Sequence, residues 1–421
     1  MKLKNSPFFS TIKALKGNQK AAVIAEPLWA VPYYLFLPFA SMYMSALGIS
    51  DARIGFVVSL GLALQFFWSL LSGAIIDKYG RRLTMLVFSL VSWAIPCALW
   101  ATAQSYWHFI AAIFFNSMWR VTGNCFSCII VEDCDQSALV RLYTIFGVIG
   151  LVAGFLTPIT GFAIERMSLV PAMRALYLVS LALMSAKAFL LYFRSSESGI
   201  GKLRMAGSKD QPLFRLALGG WREFTRALRT RRVLLCVIFM ALFTCFTTVQ
   251  TTFFPLFVTG PYKMSGALYS MLPLLKSAVM LFVYLIISPR IRLSAVRRPL
   301  FWGLFVHALG LGVLLLGLQL GGGALVAAFF AAVCDALAFA ILSPLGESLM
   351  AVNVPHEQRA RINSLITAFV LLLSMPAGWA AGQLSAVNRA LPFVLNLCLL
   401  ATMAAAAFFI ARGQEGEANS R

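Results

Sequence analysis

Long apolar stretches alternate with short polar stretches along almost the whole chain. Each apolar stretch has roughly 20 residues or more, which is the length that an α-helix needs to cross a bilayer core of ~30 Å. The pattern therefore predicts an all-α integral membrane protein with twelve transmembrane helices, which we call spans one to twelve. In chain order they cover residues 22–48, 54–77, 83–103, 107–131, 139–163, 171–193, 233–259, 266–288, 299–319, 323–348, 362–385 and 390–411.

One polar and basic stretch divides these spans into two sets of six. The N-terminal residues precede an apolar run that is too long for a signal-peptide core and has no cleavage site, so we expect them to remain as a tail. The predicted organisation is a tail over 1–21, a six-helix bundle over 22–193, a linker over 194–232, a second six-helix bundle over 233–411 and a tail over 412–421.

Composition and charge support a membrane protein and predict its orientation. Of the 421 residues, 60% are hydrophobic and 12% are charged, which is too little charge to cover a soluble globule of this size. The net charge of +20 does not indicate a nucleic-acid partner, because the Lys and Arg residues lie between the apolar runs. With the N-terminus inside, 27 of them face the cytoplasm and 5 face the opposite side. The positive-inside rule therefore predicts a multi-pass protein with both termini in the cytoplasm.

The two sets of spans also show internal repetition. Gly55 and Gly266 open spans two and eight at an offset of 211, and Glu132 corresponds to Glu347 at an offset of 215. The segment LYTIF (142–146) corresponds to LITAF (365–369). We expect two pseudo-symmetric bundles, as in transporters that are built from repeats.

The loop between spans two and three carries the most specific motif, GAIIDKYGRR (73–82). It resembles the corresponding loop of the major facilitator superfamily, whose pattern G-x-x-x-D-[RK]-x-G-[RK]-[RK] is filled at every position. The segment ISPRIRLSAVRR (287–298) is interpreted as a diverged second copy, with Ser288 in place of the acidic residue. The predicted gating loop consists of Gly73, Asp77, Lys78, Gly80, Arg81 and Arg82.

This resemblance implies the fold of that superfamily, alternating access, and a location in the inner (plasma) membrane of a bacterium. It also implies that Asp77 interacts with neighbouring helix ends and basic groups and stabilises one state of the cycle. Span five lacks the adjacent Gly-Pro of the family's antiporter motif. Its glycines, which include Gly147, Gly150 and Gly161, are interpreted as a close helix-packing face.

Ionisable residues inside the spans indicate the transport pathway, because each costs about 2.5–3.5 kcal/mol on insertion scales. Arg120 and Asp335 are related by the offset of 215, and Lys276 matches Gln65 at the offset of 211. Asn116, Arg120 and Asn124 recur every four residues and are expected to share one helix face that lines a cavity. The alternative is a buried Arg120 that the Asn side chains satisfy for stability alone. The predicted substrate and proton pathway comprises Arg120, Asn116, Asn124, Lys276, Asp335, Glu26 and Gln65.

Other polar residues are assigned structural roles. Lys187 is expected to extend to the inner membrane surface, and His307 is interpreted as a packed or hydrogen-bonded residue. A charge network is expected at the inner ends of the spans, where acidic residues pair with Arg141 or with the gating loop. Its predicted members are Glu132, Asp133, Arg141, Glu347 and Arg359.

The sequence lacks the motifs of several other functions. Cys125 and Cys128 have the C-x-x-C spacing, but there is no second pair and no nearby His, so no metal site is expected. There is no Walker loop, and neither a catalytic constellation nor a cofactor is predicted. The expected partners are a small solute, protons and the lipid bilayer, without nucleic acid, for a monomeric protein that is not an enzyme.

Together these features predict a proton-coupled secondary active transporter of an anionic or zwitterionic solute. Arg120 and Lys276 give the pathway an excess of positive charge over Asp335. Asp335 is the favoured proton carrier and Glu26 the second, because a carboxylate in a dry cavity binds a proton when a nearby cation moves away. Two alternatives remain: efflux of amphipathic drugs, which the aromatic residues of span one favour, and a non-transporting sensor that signals through the linker.

Overall fold

The computed structural model describes residues 15–132, 134, 136–217, 225–226, 228–287, 297–319, 323–353 and 359–418. Within these ranges every regular element is helical. Asp133 lies outside them, and so does most of the second copy of the gating loop (287–298). Parts of the two tails and of the linker also lie outside them.

Nineteen α-helices are numbered here in chain order within the described ranges. The first eleven are α1 (Gly17–Ala25), α2 (Pro27–Phe36), α3 (Ala40–Ala46), α4 (Asp51–Tyr79), α5 (Arg81–Ser89), α6 (Ile95–Ala101), α7 (Tyr106–Asn116), α8 (Trp119–Val131), α9 (Gln136–Gly154), α10 (Thr157–Met167) and α11 (Leu169–Arg194). The others are α12 (Gly199–Ser208), α13 (Leu213–Ala217), α14 (Arg231–Thr259), α15 (Gly266–Phe282), α16 (Arg297–Leu316), α17 (Ala324–Asn353), α18 (Arg359–Val387) and α19 (Leu391–Ala418). A 3₁₀ turn (Leu37–Phe39) and a π-helical turn (Leu90–Ala94) join consecutive helices, and a second π-helical turn (Val283–Ile287) continues α15.

Eleven helical segments of the described chain are long and apolar enough to cross a membrane. They correspond to all the predicted spans except span four. That stretch consists of two shorter helices, α7 and α8, which are separated at Ser117 and Met118. The Ser117 hydroxyl donates to the carbonyl oxygen of Phe114 at 2.7 Å, and such side-chain bonds compete with regular helical structure.

The chain divides into two compact units, each of which combines separate segments. Unit 1 contains the described residues of 1–37, 67–156 and 173–219. Unit 2 contains residues 38–66 and 157–172 with the described residues from 220 onward. The units therefore cut across spans one, two, five and six, whereas the predicted bundle boundaries follow the two halves of the sequence. Those boundaries remain a prediction.

Unit 2 holds segments from both sequence halves together through small residues. A Cβ atom at Gly382 of α18 would lie 2.9 Å from the Cα of Gly55 in α4. One at Gly161 of α10 would lie 3.1 Å from the Cα of Ala267 in α15. Only part of the predicted glycine face of span five is packed in this way, because a Cβ at Gly147 would meet nothing within 4 Å.

Candidate functional site

The gating loop is a turn of one residue between α4 and α5. Gly80 has φ +81°, a conformation that side chains of L-residues rarely adopt. A Cβ at this position would also lie 2.9 Å from a carboxylate oxygen of Glu197. Glycine is thus required both by the backbone and by the close approach of the linker. Gly73 lies inside α4, where a Cβ would meet no atom within 4 Å.

Arg81 is buried at the start of α5, with 1% of its surface exposed. Its Nη2 atom lies 2.7 Å from Glu132 and 3.2 Å from Asp77, and its Nε donates to Glu132 at 3.0 Å. Arg81 is surrounded by carboxylates, because a buried charge requires paired and hydrogen-bonded partners.

The linker covers the gating loop. The carboxylate of Glu197 accepts hydrogen bonds from the backbone N–H groups of Arg81 and Arg82, at 2.9 and 3.1 Å. These groups lie at the N-terminus of α5, where unpaired N–H donors favour an anion. Arg204 of α12 lies 3.2 Å from Asp77. Glu197 and Arg204 were not among the predicted site residues, since a charged residue in a polar linker carries no distinctive signal.

The remaining loop residues also contact the linker or span six. Lys78 donates to the carbonyl oxygen of Gln211 at 3.0 Å. Arg82 donates to the carbonyl oxygen of Tyr192 at 2.7 Å and lies over its ring.

The inner-end charge network is only partly brought together. Glu132 contacts Arg81 and accepts a hydrogen bond from the Ser198 hydroxyl. Arg141 and Glu347 are exposed, and the side chain of Arg359 lies outside the described part of the chain.

The three polar residues of span four do not lie on one continuous helix, as the sequence had suggested. Asn116 ends α7, whereas Arg120 and Asn124 lie in α8 beyond the break at Ser117. The Arg120 guanidinium lies 4.3 Å from the centre of the Trp119 ring, a distance typical of a cation–π contact.

Both Asn side chains of this region bond to neighbouring spans. Asn116 donates to the carbonyl oxygen of Ser92 at 2.9 Å. Asn124 donates to the Ser72 hydroxyl at 2.6 Å. These two bonds tie span four to spans three and two within unit 1.

A cluster in unit 2 joins three ionisable side chains from α15, α16 and α17. The Lys276 ammonium lies 2.5 Å from one carboxylate oxygen of Asp335, and His307 Nε2 lies 3.1 Å from the other. His307 is 2% exposed. It is hydrogen-bonded, as the sequence suggested, but its partner is the predicted proton carrier. Gln65, the sequence counterpart of Lys276, lies half-buried within α4.

A second buried ion pair lies in unit 1, between spans one and six. The Lys187 ammonium lies 2.8 Å from the carboxylate of Glu26 and is 4.5 and 5.2 Å from the ring centres of Phe126 and Trp29. Lys187 is 8% exposed. The expectation that it extends to the membrane surface is therefore wrong, because the carboxylate and two aromatic faces hold the ammonium in the interior.

This pair borders a cavity of about 210 Å³ inside unit 1. Its walls are mostly aromatic and apolar, with a few polar groups on one side. The lining residues are Glu26, Trp29, Met85, Ser89, Trp93, Trp119, Thr122, Gly123, Phe126, Met184 and Lys187. An apolar cavity with a few convergent polar groups is the usual form of a small-molecule site.

Two curated relatives match short parts of the chain. A stretch of 76 residues is 36% identical to the nitrate/nitrite transporter NrtP of Picosynechococcus sp. and covers 18% of this chain and 14% of that protein. A stretch of 85 residues is 32% identical to a probable 3-phenylpropionic acid transporter of Escherichia coli and covers 20% of this chain and 22% of that protein. The chain thus matches less than a quarter of the length of either relative.

Similar solved structures cover nearly the whole chain. A POT family transporter in complex with 5-aminolevulinic acid has a TM-score of 0.68 at 15% identity, over 96% of this chain and 99% of that chain. The nucleoside transporter NupG has a TM-score of 0.68 at 13% identity, over 95% and 99%. At these identities the likeness shows the fold, which is an all-α integral membrane fold of twelve helices in two bundles.

The family model of the Major Facilitator Superfamily matches residues 30–378. This range includes the complete gating loop, the Lys276–Asp335–His307 cluster and the Lys187 end of the second ion pair. The chain is a multi-pass membrane protein that belongs to the major facilitator superfamily.

Proposed function

We propose that this protein is a secondary active transporter that moves a small anionic or zwitterionic solute across the bacterial plasma membrane by alternating access, coupled to protons. Family membership supports transport of a small solute. The names of the two curated relatives refer to nitrate, nitrite and 3-phenylpropionic acid, all of which are anions at neutral pH. The observation that carries the proposal is the contact of Asp335 with both Lys276 and His307.

This cluster can couple a proton to a change of conformation. While Lys276 contacts Asp335, the two charges compensate each other. If α15 moves away from α17, each charge loses its partner, and an isolated buried ion costs several kcal/mol. Proton uptake by Asp335 removes one of these charges, and an anionic solute that binds Lys276 compensates the other. One proton and one negative charge then move together.

Both proposed proton carriers contact a cation inside the spans. Asp335 contacts Lys276, and Glu26 contacts Lys187. A cation that loses its carboxylate partner to a proton can bind an anionic solute in its place. We keep Asp335 as the favoured proton carrier and Glu26 as the second.

The arrangement in the membrane belongs to the proposal. We propose two six-helix bundles over 22–193 and 233–411, joined by the linker over 194–232, in a monomer with both termini in the cytoplasm. The linker then lies on the cytoplasmic side, which agrees with its contacts to the gating loop through Glu197 and Arg204.

The test is uptake into proteoliposomes with and without an imposed pH gradient, using labelled nitrate, an aromatic carboxylate, a nucleoside and a dipeptide. For the solute that accumulates, Asp335→Asn is expected to abolish gradient-driven accumulation and to keep exchange of labelled for unlabelled solute. Asp210→Asn, on the exposed linker, is the matched control and should behave as wild type. Unchanged pH-driven accumulation in Asp335→Asn would remove Asp335 from the mechanism.

A further inference from the structure

We infer that the cavity inside unit 1 binds a carboxylate that carries one aromatic ring, with the ring between the indole walls and the carboxylate at Trp29 and Lys187. The inference rests on the proposed function for its role in transport and names the class of anion. It is carried by the shape of the cavity, its aromatic walls and the hydrogen-bond donors that the described residues leave without an acceptor.

The walls of the cavity suit a flat apolar group. Trp29 and Trp93 meet edge to face, with ring centres 5.5 Å apart, and Trp119 and Phe126 line the cavity as well. Aromatic rings in such arrangements gain about 0.5–1.5 kcal/mol beyond the burial of their area. A ring inserted among these side chains would extend a cluster that already exists.

The volume sets the size of the ligand. A cavity of 210 Å³ holds about seven water molecules at their share of liquid volume. This is room for one ring with a short acid group. It is below the roughly 300–1,000 Å³ of sites for drug-sized ligands.

Two buried polar atoms of the lining have no hydrogen-bond partner within the described residues. They are the indole Nε1 of Trp29 and the hydroxyl of Ser89, and the Ser89 side chain lies among the buried residues. A buried polar atom without a partner costs about 1–3 kcal/mol. A ligand that supplies the missing partner recovers this free energy.

The N–H donors of Trp29 and Lys187 favour a ligand that has hydrogen-bond acceptors. An indole N–H can only donate, and an ammonium group has three donors and no acceptor. Lys187 directs one hydrogen bond to Glu26, which leaves further N–H groups for an oxygen in the cavity. Trp29 and Lys187 both line the cavity, and a carboxylate has the acceptor oxygens and the charge to meet both donors.

A cationic ligand is the opposite possibility, and Glu26 distinguishes the two. For a carboxylate, Glu26 competes for the Lys187 ammonium and repels the bound anion. For an amine, Glu26 would be the binding group. Replacing its charge by a neutral amide therefore has opposite effects on the two classes of ligand.

The experiment measures binding by calorimetry on the purified full-length protein in detergent, with benzoate, benzamide and benzylamine as probes. Benzoate is expected to bind more tightly than either of the others. Trp29→Phe keeps the ring and removes the N–H, so it should weaken benzoate binding about tenfold, as expected for a bond to a charged group. Trp107→Phe, at a position that is 72% exposed, is the matched control and should leave the affinity unchanged.

Glu26→Gln should tighten benzoate binding, and Ser89→Ala should weaken it while Ser127→Ala, on an exposed face of α8, does not. Tighter binding of benzylamine than of benzoate, with loss of binding in Glu26→Gln, would overturn the inference. So would an unchanged benzoate affinity in folded Trp29→Phe.

Measurements of solute accumulation in proteoliposomes distinguish a failure of this inference from a failure of the proposed function. If benzoate binds with the expected pattern of variants but no solute accumulates in proteoliposomes, the site stands and the transport proposal fails. If an anion accumulates under a pH gradient but its affinity is indifferent to Trp29, Ser89 and Glu26, transport stands and this site fails.

Discussion

The guanidinium group of Arg389 binds the carboxylate of Asp51 through two nitrogen atoms, at 2.9 and 3.2 Å, although 338 residues separate them in the chain. The Ser385 hydroxyl donates to the same carboxylate at 2.7 Å. Asp51 is the first residue of α4, where the helix N-terminus also favours a negative charge. This cluster joins span two to the loop after span eleven, and the proposed topology places it at the outer face.

The first prediction concerns this ion pair. Asp51→Asn removes the charge of a buried group and leaves the partly exposed Arg389 with less compensation, so we expect a loss of about 2 kcal/mol in stability. The measurement is thermal unfolding of purified protein, with a double-mutant cycle that adds Arg389→Gln. Glu165→Gln, at an exposed position of α10, is the control. A cycle without coupling between the two sites would show that the contact does not stabilise this conformation.

The second prediction concerns the gating loop. Asp77 contacts Arg81 and Arg204, and all three lie at the linker rather than beside the unit 1 cavity. Asp77→Asn is therefore expected to reduce solute turnover severalfold while ligand affinity changes little. Uptake rates and calorimetry on the same preparation measure the two effects, with Asp210→Asn as control. Loss of ligand binding in folded Asp77→Asn, together with normal binding in Arg120→Ala, would reverse the assignment of gate and site.

Much of the architecture could be predicted because the signals are local. A run of apolar residues reports a span without reference to any other part of the chain, and the motif from Gly73 to Arg82 fixes one loop. An ionisable residue in an apolar run also stands out locally, which is why Lys276 and Asp335 were identified. Their contact was not predicted, because it depends on how α15 and α17 pack.

The interpretations that failed depend on position within a helix and on distant partners. Lys187 lies near the inner end of span six, where a long side chain can reach the surface or turn inward. It turns inward because it pairs with Glu26, which lies 161 residues away in the sequence. Glu197 contacts the start of α5 only because the linker folds back on it. The break at Ser117 has neither Pro nor Gly to mark it.

The third prediction concerns topology. Reporter fusions at Lys209 and Arg297 are expected to read as cytoplasmic, and one at Lys263 as external, because the positive-inside count places the linker inside. Lys209 directly follows α12, which contacts the gating loop through Arg204. An external reading at Lys209 would contradict the six-plus-six arrangement. It would also place the linker on the opposite side of the membrane from the proposed cytoplasmic position of the gating loop.

The last prediction concerns the charges of the unit 2 cluster. Lys276→Met removes the cation and leaves the Asp335 carboxylate in the interior with His307 alone of its two partners. Breaking a fully buried pair costs about 3–5 kcal/mol. The side chains of Lys276 and Asp335 are 25% and 16% exposed, so we expect a smaller loss and a clear fall in the unfolding midpoint. Adding Asp335→Asn removes the stranded charge, so the double variant should be more stable than Lys276→Met alone.

The same two variants distinguish coupling from simple stabilisation. If Lys276 binds the anionic solute when Asp335 is protonated, Lys276→Met should lose exchange as well as accumulation, whereas Asp335→Asn loses accumulation only. Exchange of labelled solute in proteoliposomes, measured on both single variants and on the double variant, gives the comparison. His307 contacts the same carboxylate at 3.1 Å, so His307→Gln, which can still donate one hydrogen bond, should keep more of both activities than Lys276→Met. Full exchange in Lys276→Met would remove this lysine from the solute site and leave it a partner of Asp335 alone.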